Sequence, residues 1–262
     1  MNKSILALVS VALLLLSGCE SKSKKSLKVA ATPMPHAQML EFIKPDLKEK
    51  GIDLTIITTD DYNMPNRALA EKEVDANFFQ HIPFMELQIK EFNYSIQSIG
   101  KIEIEPMGVY SKKIKSIADL QDKAVIAVPN DPSNEARALL LLQSHGIIKL
   151  DDPANLNATV LNIVDNPKHL KFIEIDAAML PRTLIDVDAA AINTNYALEA
   201  QLNPLKDALI LENKNSPYAN ILAIRIGDEN RPDIQELKAA MTSDKMREFI
   251  LKKYQGAVLP AF

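Results

Sequence analysis

Arg137 is the residue whose chemistry is clearest, because it is the one permanent cation among residues 129–142. A guanidinium can form two parallel hydrogen bonds with a carboxylate, and the N-terminus of a helix adds a potential that favours an anion. Asp131 followed by Pro132 predicts the N-cap and the first residue of such a helix. The pattern therefore predicts recognition of a carboxylate by Arg137. A structural ion pair is the alternative, and the residues alone leave it open.

The segments around Arg137 predict the elements that must position it. Residues 124–128 form an apolar run typical of a buried strand, and the helix that follows extends to Gly146. The helix is apolar most of the way round at residues 139–142, which indicates burial against a sheet. Open α/β sheets bind ligands at the carboxyl ends of their strands, where this helix begins. We therefore expect Arg137 to lie within reach of a ligand crevice.

Two series of alternating strands and helices are predicted along the chain, which indicates an α/β fold with mostly parallel sheets. The first begins at residue 27, and the second follows an extended run at residues 101–110 and includes a strand at residues 159–163. A second extended run at residues 220–226 precedes two C-terminal helices. We interpret the extended runs as hinge strands between two lobes, with the C-terminal helices returning to the first lobe.

Composition excludes several function classes. The chain has 262 residues, 47% of them hydrophobic and 24% charged, which is typical of a globular protein with one large domain or two lobes. A net charge of −4 with mixed signs argues against nucleic acid as a partner. No glycine-rich phosphate loop is present, and His36, His81, His145 and His169 lack metal-ligand spacing. We expect neither a cofactor nor a metal.

The N-terminal segment predicts export and lipid attachment. Lys3 precedes an apolar run at residues 5–16, too short for a transmembrane helix and typical of a signal peptide. The run ends in Leu-Ser-Gly-Cys at residues 16–19, which resembles the bacterial lipobox. The resemblance implies a signal peptide over residues 1–18, a thioether-linked lipid on Cys19 and a tether over residues 19–26. An unmodified cysteine is the alternative.

Several stretches, in this order and spacing, resemble the methionine-binding lipoproteins, the substrate-binding subunits of methionine ABC transporters. The resemblance covers residues 27–262. The stretches that carry it are TPMPH (32–36), DANFFQH (75–81), EPMG (105–108), residues 129–142, INTNYA (192–197), SPYAN (216–220) and GAVLPAF (256–262).

The resemblance implies a two-lobed α/β fold of the type II periplasmic-binding-protein class. Lobe 1 would comprise residues 27–108 and 221–262, and lobe 2 residues 109–220. The ligand would lie in the cleft between the lobes, held by residues of both. The implied ligand-binding residues are Tyr62, Phe79, His81, Phe84, Arg137, Asn193, Asn195 and Asn220.

Each of these residues has an implied role. By similarity, Arg137 binds the ligand carboxylate, Asn195 and Asn220 bind the amino acid backbone groups, and Asn193 supports Asn195 or serves only as a turn residue. Tyr62, Phe79 and His81 line the side-chain pocket, where a thioether gains contacts with ring edges. Alternate residues of a strand point to opposite sides, so only one of Phe78 and Phe79 can face the cleft, and the resemblance implies that it is Phe79. His81 taken alone is more typical of an ordinary polar or capping residue.

Position 84 departs from the family pattern, because Phe84 replaces the usual tyrosine and lacks its hydroxyl. The ligand could therefore be another amino acid or a methionine-containing dipeptide instead of methionine. The implied partners are an ABC transporter permease with its ATPase, and a membrane reached through the lipid anchor, with the protein facing the periplasm or the cell exterior. An enzyme on the same fold is the rival class, although no catalytic motif is recognisable.

Overall fold

A computed structural model describes residues 25–262. The predicted signal peptide, the lipidation of Cys19 and most of the tether lie outside these described residues. The tether prediction is wrong at its end, because Lys25 and Ser26 already belong to the first strand. Their backbones pair with Ile52 and Asp53 of the neighbouring strand, so hydrogen bonding extends the strand beyond its apolar residues.

The strands are β1 Lys25–Ala31, β2 Ile52–Thr58, β3 Ala76–His81, β4 Ile96–Ile104, β5 Gly108–Tyr110, β6 Val125–Pro129, β7 Lys149–Leu150, β8 Ile163–Asp165, β9 Lys171–Ile175, β10 Ala189–Ile192, β11 Ile210–Leu211, β12 Ala219–Arg225 and β13 Leu259–Pro260. The helices are α1 Gln38–Glu49, α2 Met64–Ala70, α3 Ile82–Phe92, α4 Pro132–Ser144, α5 Leu180–Thr183, α6 Thr194–Glu199, α7 Pro204–Asp207, α8 Pro232–Met241 and α9 Asp244–Tyr254. Within residues 25–262, no helix is both long enough and apolar enough to cross a membrane.

The first sheet has six strands in the order β13-β4-β12-β3-β1-β2. β1 runs parallel to β2 and β3, whereas β12 runs antiparallel to β3 and β4. Leu40 and Ile43 of α1 pack in the same core as Leu237 of α8 and Ile250 of α9. The C-terminal helices therefore return to the first sheet, which confirms that prediction.

The second sheet has five strands in the order β11-β5-β10-β6-β9. β6 is parallel to β9 and β10, and Leu139 and Leu142 of α4 pack in one core with Ile126 and Val128 of β6. The apolar face predicted for this helix is thus buried against its own sheet. The predicted lobe bounds stay a prediction, which the division of the strands between the two sheets supports.

The strand predicted at residues 159–163 is wrong. A 3-10 turn, Val160–Asn162, lies there, and β8 after it pairs only with β7 in a separate small sheet. The side chain of Asn162 accepts a hydrogen bond of 2.9 Å from the backbone N–H of Thr159. Such a local side-chain bond competes with strand pairing, and it leaves Leu161 91% exposed.

The predicted hinge segments are also corrected in detail. The extended run at residues 101–110 is divided, because β4 ends at Ile104 and β5 begins at Gly108 in the other sheet. The run at residues 220–226 belongs to β12, which pairs along its length with β4 inside the first sheet. The chain therefore crosses between the sheets just after β4 and just before β12.

Candidate functional site

A cleft lies where residues of both sheets meet. Most of its residues lie at or just beyond the carboxyl ends of β3, β6 and β10, the position at which α/β sheets bind ligands. Its lining consists of Tyr62, Phe79, Gln80, His81, Phe84, Glu105, Asn134, Arg137, Asn193, Thr194, Asn195 and Asn220. The structure thus brings every predicted ligand-binding residue to one cleft, and their contacts with a ligand stay a prediction.

One end of the cleft is aromatic. The ring centroids of Tyr62, Phe79 and Phe84 are 5.8 to 5.9 Å apart. Phe79 lines the cleft while its neighbour Phe78 is fully buried in the core of the first sheet, as the alternation of a strand predicts. An apolar arm with a sulfur atom would meet ring edges and faces here.

The hydroxyl of Tyr62 links the two sides of the cleft, because it donates a hydrogen bond of 2.6 Å to Oδ1 of Asn195. Burial raises the pKa of Tyr62 well above its ordinary value, so the hydroxyl keeps its proton for this bond. A second bond across the same seam joins the hydroxyl of Tyr196 to the backbone carbonyl of Asp60, at 2.8 Å. The structure is therefore a closed form of the cleft.

His81 is both a helix cap and a cleft residue. Its Nδ1 accepts a hydrogen bond of 3.2 Å from the backbone N–H of Phe84, at the start of α3. This leaves Nε2 to donate to Oδ1 of Asn134, at 3.3 Å. Burial, together with the charge of Arg137, lowers the pKa of His81 to about 3, so the ring is neutral.

Arg137 is buried and largely paired. Its Nε lies 3.1 and 3.2 Å from the two carboxylate oxygens of Glu212, and its Nη2 lies 2.6 Å from one of them. Nη2 also donates to the backbone carbonyl of Glu105, at 2.7 Å. The structural ion pair that the sequence left open is therefore present. Within residues 25–262, however, Nη1 makes no hydrogen bond, so it is available to a further acceptor.

The asparagines after β10 present unused polar atoms. Asn193 donates to Oδ1 of Asn134 at 2.8 Å, but its own Oδ1 has no partner among the described residues. Nδ2 of Asn195 is likewise buried without one. Buried polar atoms are nearly always hydrogen-bonded, so these two atoms, on residues that line the cleft, are available to a polar ligand.

A buried His–Glu cluster, consisting of His36, Glu103, Glu105 and Asn220, lies under the cleft. His36 Nε2 is 3.3 Å from Glu103 Oε1 and 3.2 Å from Glu105 Oε1. Nδ2 of Asn220 donates to the same two oxygens, at 2.8 and 3.1 Å. Burial raises the pKa of Glu105, and the neighbouring charge of Glu103 raises it further.

The sequence analysis missed this cluster and the partner of Arg137. Glu103 and Glu105 are separated by one residue in an extended segment, which places both carboxylates on one side of the chain. That spacing was a usable signal for Glu105. Nothing in the sequence singled out Glu212, because it meets Arg137 only through the packing of β5 between β10 and β11.

Comparison with known proteins decides the family. The NlpA lipoprotein model matches residues 27–262. The chain belongs to the NlpA lipoprotein family. The methionine-binding lipoprotein MetQ of Bacillus subtilis is 45% identical over 249 residues, which cover 93% of this chain and 90% of that protein.

Solved structures of related proteins agree with the fold. A nutrient-binding protein of Burkholderia cenocepacia bound to methionine is 48% identical, with a TM-score of 0.87 over 90% of this chain and 100% of that one. An ABC transporter periplasmic substrate-binding protein of Coxiella burnetii is also 48% identical, with a TM-score of 0.86 over the same shares. The two-lobed α/β fold of an NlpA-type substrate-binding protein is therefore confirmed.

Proposed function

We propose that this NlpA-family protein binds methionine in the cleft between its two sheets and delivers it to an ABC transporter permease and its ATPase for import. The observation that carries the proposal is the composition of the cleft. An aromatic end formed by Tyr62, Phe79 and Phe84 lies next to a polar end with Arg137 and unpaired asparagine atoms. An amino acid with a thioether arm matches both ends.

The polar end suits the backbone groups of an amino acid. Nη1 of Arg137 and Nδ2 of Asn195 are donors for a carboxylate, and Oδ1 of Asn193 is an acceptor for an ammonium group. Asn220 also lines the polar end of the cleft, where its side chain contacts the His–Glu cluster. The names of relatives support the same ligand, since the Bacillus subtilis protein is a methionine-binding lipoprotein and the Burkholderia cenocepacia structure holds methionine.

The role in transport depends on closure of the cleft. Tyr62, Phe79 and His81 lie on the side of the first sheet, whereas Arg137 and Asn195 lie on the side of the second. A ligand that contacts both sides favours the closed form by its difference in affinity for the two forms. We infer that the protein, held outside the cytoplasmic membrane by a lipid on Cys19, presents this closed form to the permease. It acts as a binding protein and not as an enzyme.

The aromatic end explains why Phe84 is compatible with methionine. Its ring lies 5.8 Å from those of Tyr62 and Phe79 and packs the apolar arm, a contact that requires no hydroxyl. The polar atom of this end is the hydroxyl of Tyr62, and it is already bonded to Asn195. We therefore expect the missing hydroxyl at position 84 to leave methionine as the preferred ligand.

Calorimetric titration tests the proposal directly. The protein is unfolded and refolded to remove any ligand, and then titrated with L-methionine, D-methionine, L-leucine and glycyl-L-methionine. We expect saturable binding of methionine, with leucine weaker because it lacks the sulfur contacts with the rings. Tighter binding of glycyl-L-methionine would identify a dipeptide receptor, and the absence of heat with all four ligands would reject the proposal.

A further inference from the structure

The charges that line the cleft are few and opposite. Among the cleft-lining residues, Arg137 is a permanent cation and Glu105 is the acidic residue. His81 adds no charge, because burial and Arg137 lower its pKa to about 3. An amino acid carries one negative and one positive group. Arg137 is the candidate partner of the carboxylate, and Glu105 is the candidate partner of the ammonium group.

Arg137 and Glu105 meet through the backbone of Glu105. Nη2 of Arg137 donates to the backbone carbonyl of Glu105 at 2.7 Å, which holds the guanidinium beside the residue that bears the carboxylate. In an α-amino acid, standard bond lengths put the amino nitrogen about 2.5 Å from the carboxyl carbon. A receptor for such a molecule therefore needs its opposite charges on neighbouring groups, and Arg137 and Glu105 are neighbours through this backbone contact.

The carboxylate of Glu105 is held in place but is not saturated. His36 and Asn220 both contact its Oε1, at 3.2 and 3.1 Å. His36 is itself fixed from the other side, because its Nδ1 lies 2.6 Å from the hydroxyl of Thr32. The backbone N–H of Asn195 also lies near this carboxylate. Within residues 25–262, Oε2 of Glu105 makes no hydrogen bond of normal geometry, so it keeps capacity for a donor in the cleft, on a side chain whose orientation is set before the ligand arrives.

We propose that Glu105 accepts a hydrogen bond from the α-ammonium group of the ligand, and so restricts the cleft to ligands with a free α-amino group beside their carboxylate. This inference rests on the proposed function and identifies the residue that binds the α-amino group of the ligand. The fixed position of Glu105, held by His36 and Asn220, makes it a specificity-determining residue. Oδ1 of Asn193, buried and unpaired, supplies a second acceptor.

The electrostatics of the cluster agree with this role. Burial and the adjacent Glu103 raise the pKa of Glu105, so a second negative charge at this place is unfavourable when nothing compensates it. An ammonium group beside Oε2 would supply that compensation. Charge-assisted hydrogen bonds are roughly twice as strong as neutral ones, so the contact contributes to discrimination as well as to affinity.

The test measures two ligands against matched variants. L-methionine and its des-amino analogue, 4-(methylthio)butanoate, are titrated into refolded wild-type protein, Glu105→Gln and Glu103→Gln. In wild-type protein we expect the analogue to bind about 10- to 100-fold more weakly than methionine. In Glu105→Gln the ratio of the dissociation constant of the analogue to that of methionine should fall to about threefold or less, because methionine loses a contact that the analogue never made. Glu103→Gln removes a carboxylate from the same cluster outside the cleft lining, so it should affect both ligands alike and keep the ratio.

The outcomes separate this inference from the proposed function. Wild-type protein that binds methionine, with an unchanged ratio in Glu105→Gln, would overturn the contact and leave methionine binding intact. An equal fall of the ratio in Glu103→Gln would assign the effect to the charge of the cluster and would also overturn it. Wild-type protein that binds no methionine would reject the proposed function itself.

A second measurement does not depend on the folding of a variant. A crystal structure of wild-type protein with L-methionine should place the ligand nitrogen within hydrogen-bond distance of Glu105, at about 2.7 to 3.0 Å. A nitrogen farther than about 3.5 Å from both carboxylate oxygens of Glu105 would refute the proposal.

Discussion

Arg137 has two predicted roles, an ion pair with Glu212 and recognition of the ligand carboxylate, and substitutions can separate them. Arg137→Met removes the guanidinium and keeps an apolar side chain of similar length. Glu212→Met removes the partner, and the double variant removes both. The pair is well enclosed, since the side chains of Arg137 and Glu212 are 4% and 11% exposed. We therefore expect stability and binding to respond differently across this set.

The stability effect follows from burial. Removal of one partner of a buried ion pair costs about 3 to 5 kcal/mol, because the remaining charge stays desolvated and unpaired. Replacement of both partners by apolar residues of similar volume is often neutral or stabilising. Each single variant should therefore have a free energy of unfolding lower by about 3 to 5 kcal/mol, and the double variant should recover most of that loss.

The binding effect has a different pattern. Loss of a charged partner from a desolvated site costs about 2 to 5 kcal/mol, or roughly 30- to several-thousand-fold in affinity. Arg137→Met and the double variant should both lose methionine binding by this factor, whereas Glu212→Met, which retains the guanidinium, should bind much more tightly than either. Urea unfolding measures the stabilities, and calorimetry on refolded protein measures the affinities. A stable double variant with wild-type affinity would refute ligand recognition by Arg137 and leave it a purely structural residue.

The remaining predictions concern the anchor, the seam of the cleft and the response to pH. Cys19→Ala should abolish labelling of the protein by a radioactive fatty acid in cells, and a labelled mutant would contradict lipidation at that residue. Tyr62→Phe should weaken methionine binding about tenfold, because Asn195 loses its 2.6 Å hydrogen bond in the closed form, whereas Tyr94→Phe, outside the cleft, should bind as wild type. Burial, with the nearby charge of Asp60, raises the pKa of Glu199 from 4.5 to about 7, so its ionisation opposes the folded form as the pH rises through this window. Glu199→Gln should therefore raise the melting temperature relative to wild type more at pH 8 than at pH 5, and a difference independent of pH would contradict that assignment.

The helix of Arg137 shows what the sequence could predict. Asp131 caps it through a 3.0 Å bond to the backbone N–H of Asn134, and Pro132 begins it, as their types indicate. Its apolar residues pack against the strand predicted just before it. These features depend on interactions between residues close in sequence and on the period of the apolar residues, and both can be recognised in the sequence itself. The placement of the cleft at the strand ends then follows from the α/β class.

The partner of Arg137 shows what the sequence could not predict. Glu212 is 75 positions away along the chain and meets the guanidinium only because β11 packs beside β5. The strand wrongly predicted at residues 159–163 failed for the opposite reason, since a local bond between Asn162 and Thr159 outweighed an apolar pattern. Asn134 belongs to a stretch that the sequence analysis singled out, yet its contact with His81 crosses the cleft and appears only in the assembled structure.

Native mass spectrometry of the protein as purified identifies the molecule in the cleft without assuming one. If the cleft binds methionine, we expect a single bound species with the mass of methionine, lost after unfolding and refolding and restored by added L-methionine. We also expect that Arg137→Met/Glu212→Met carries no such species, although it is folded. A different bound molecule in wild-type protein, or refolded protein that gains no adduct in excess L-methionine, would contradict methionine as the ligand.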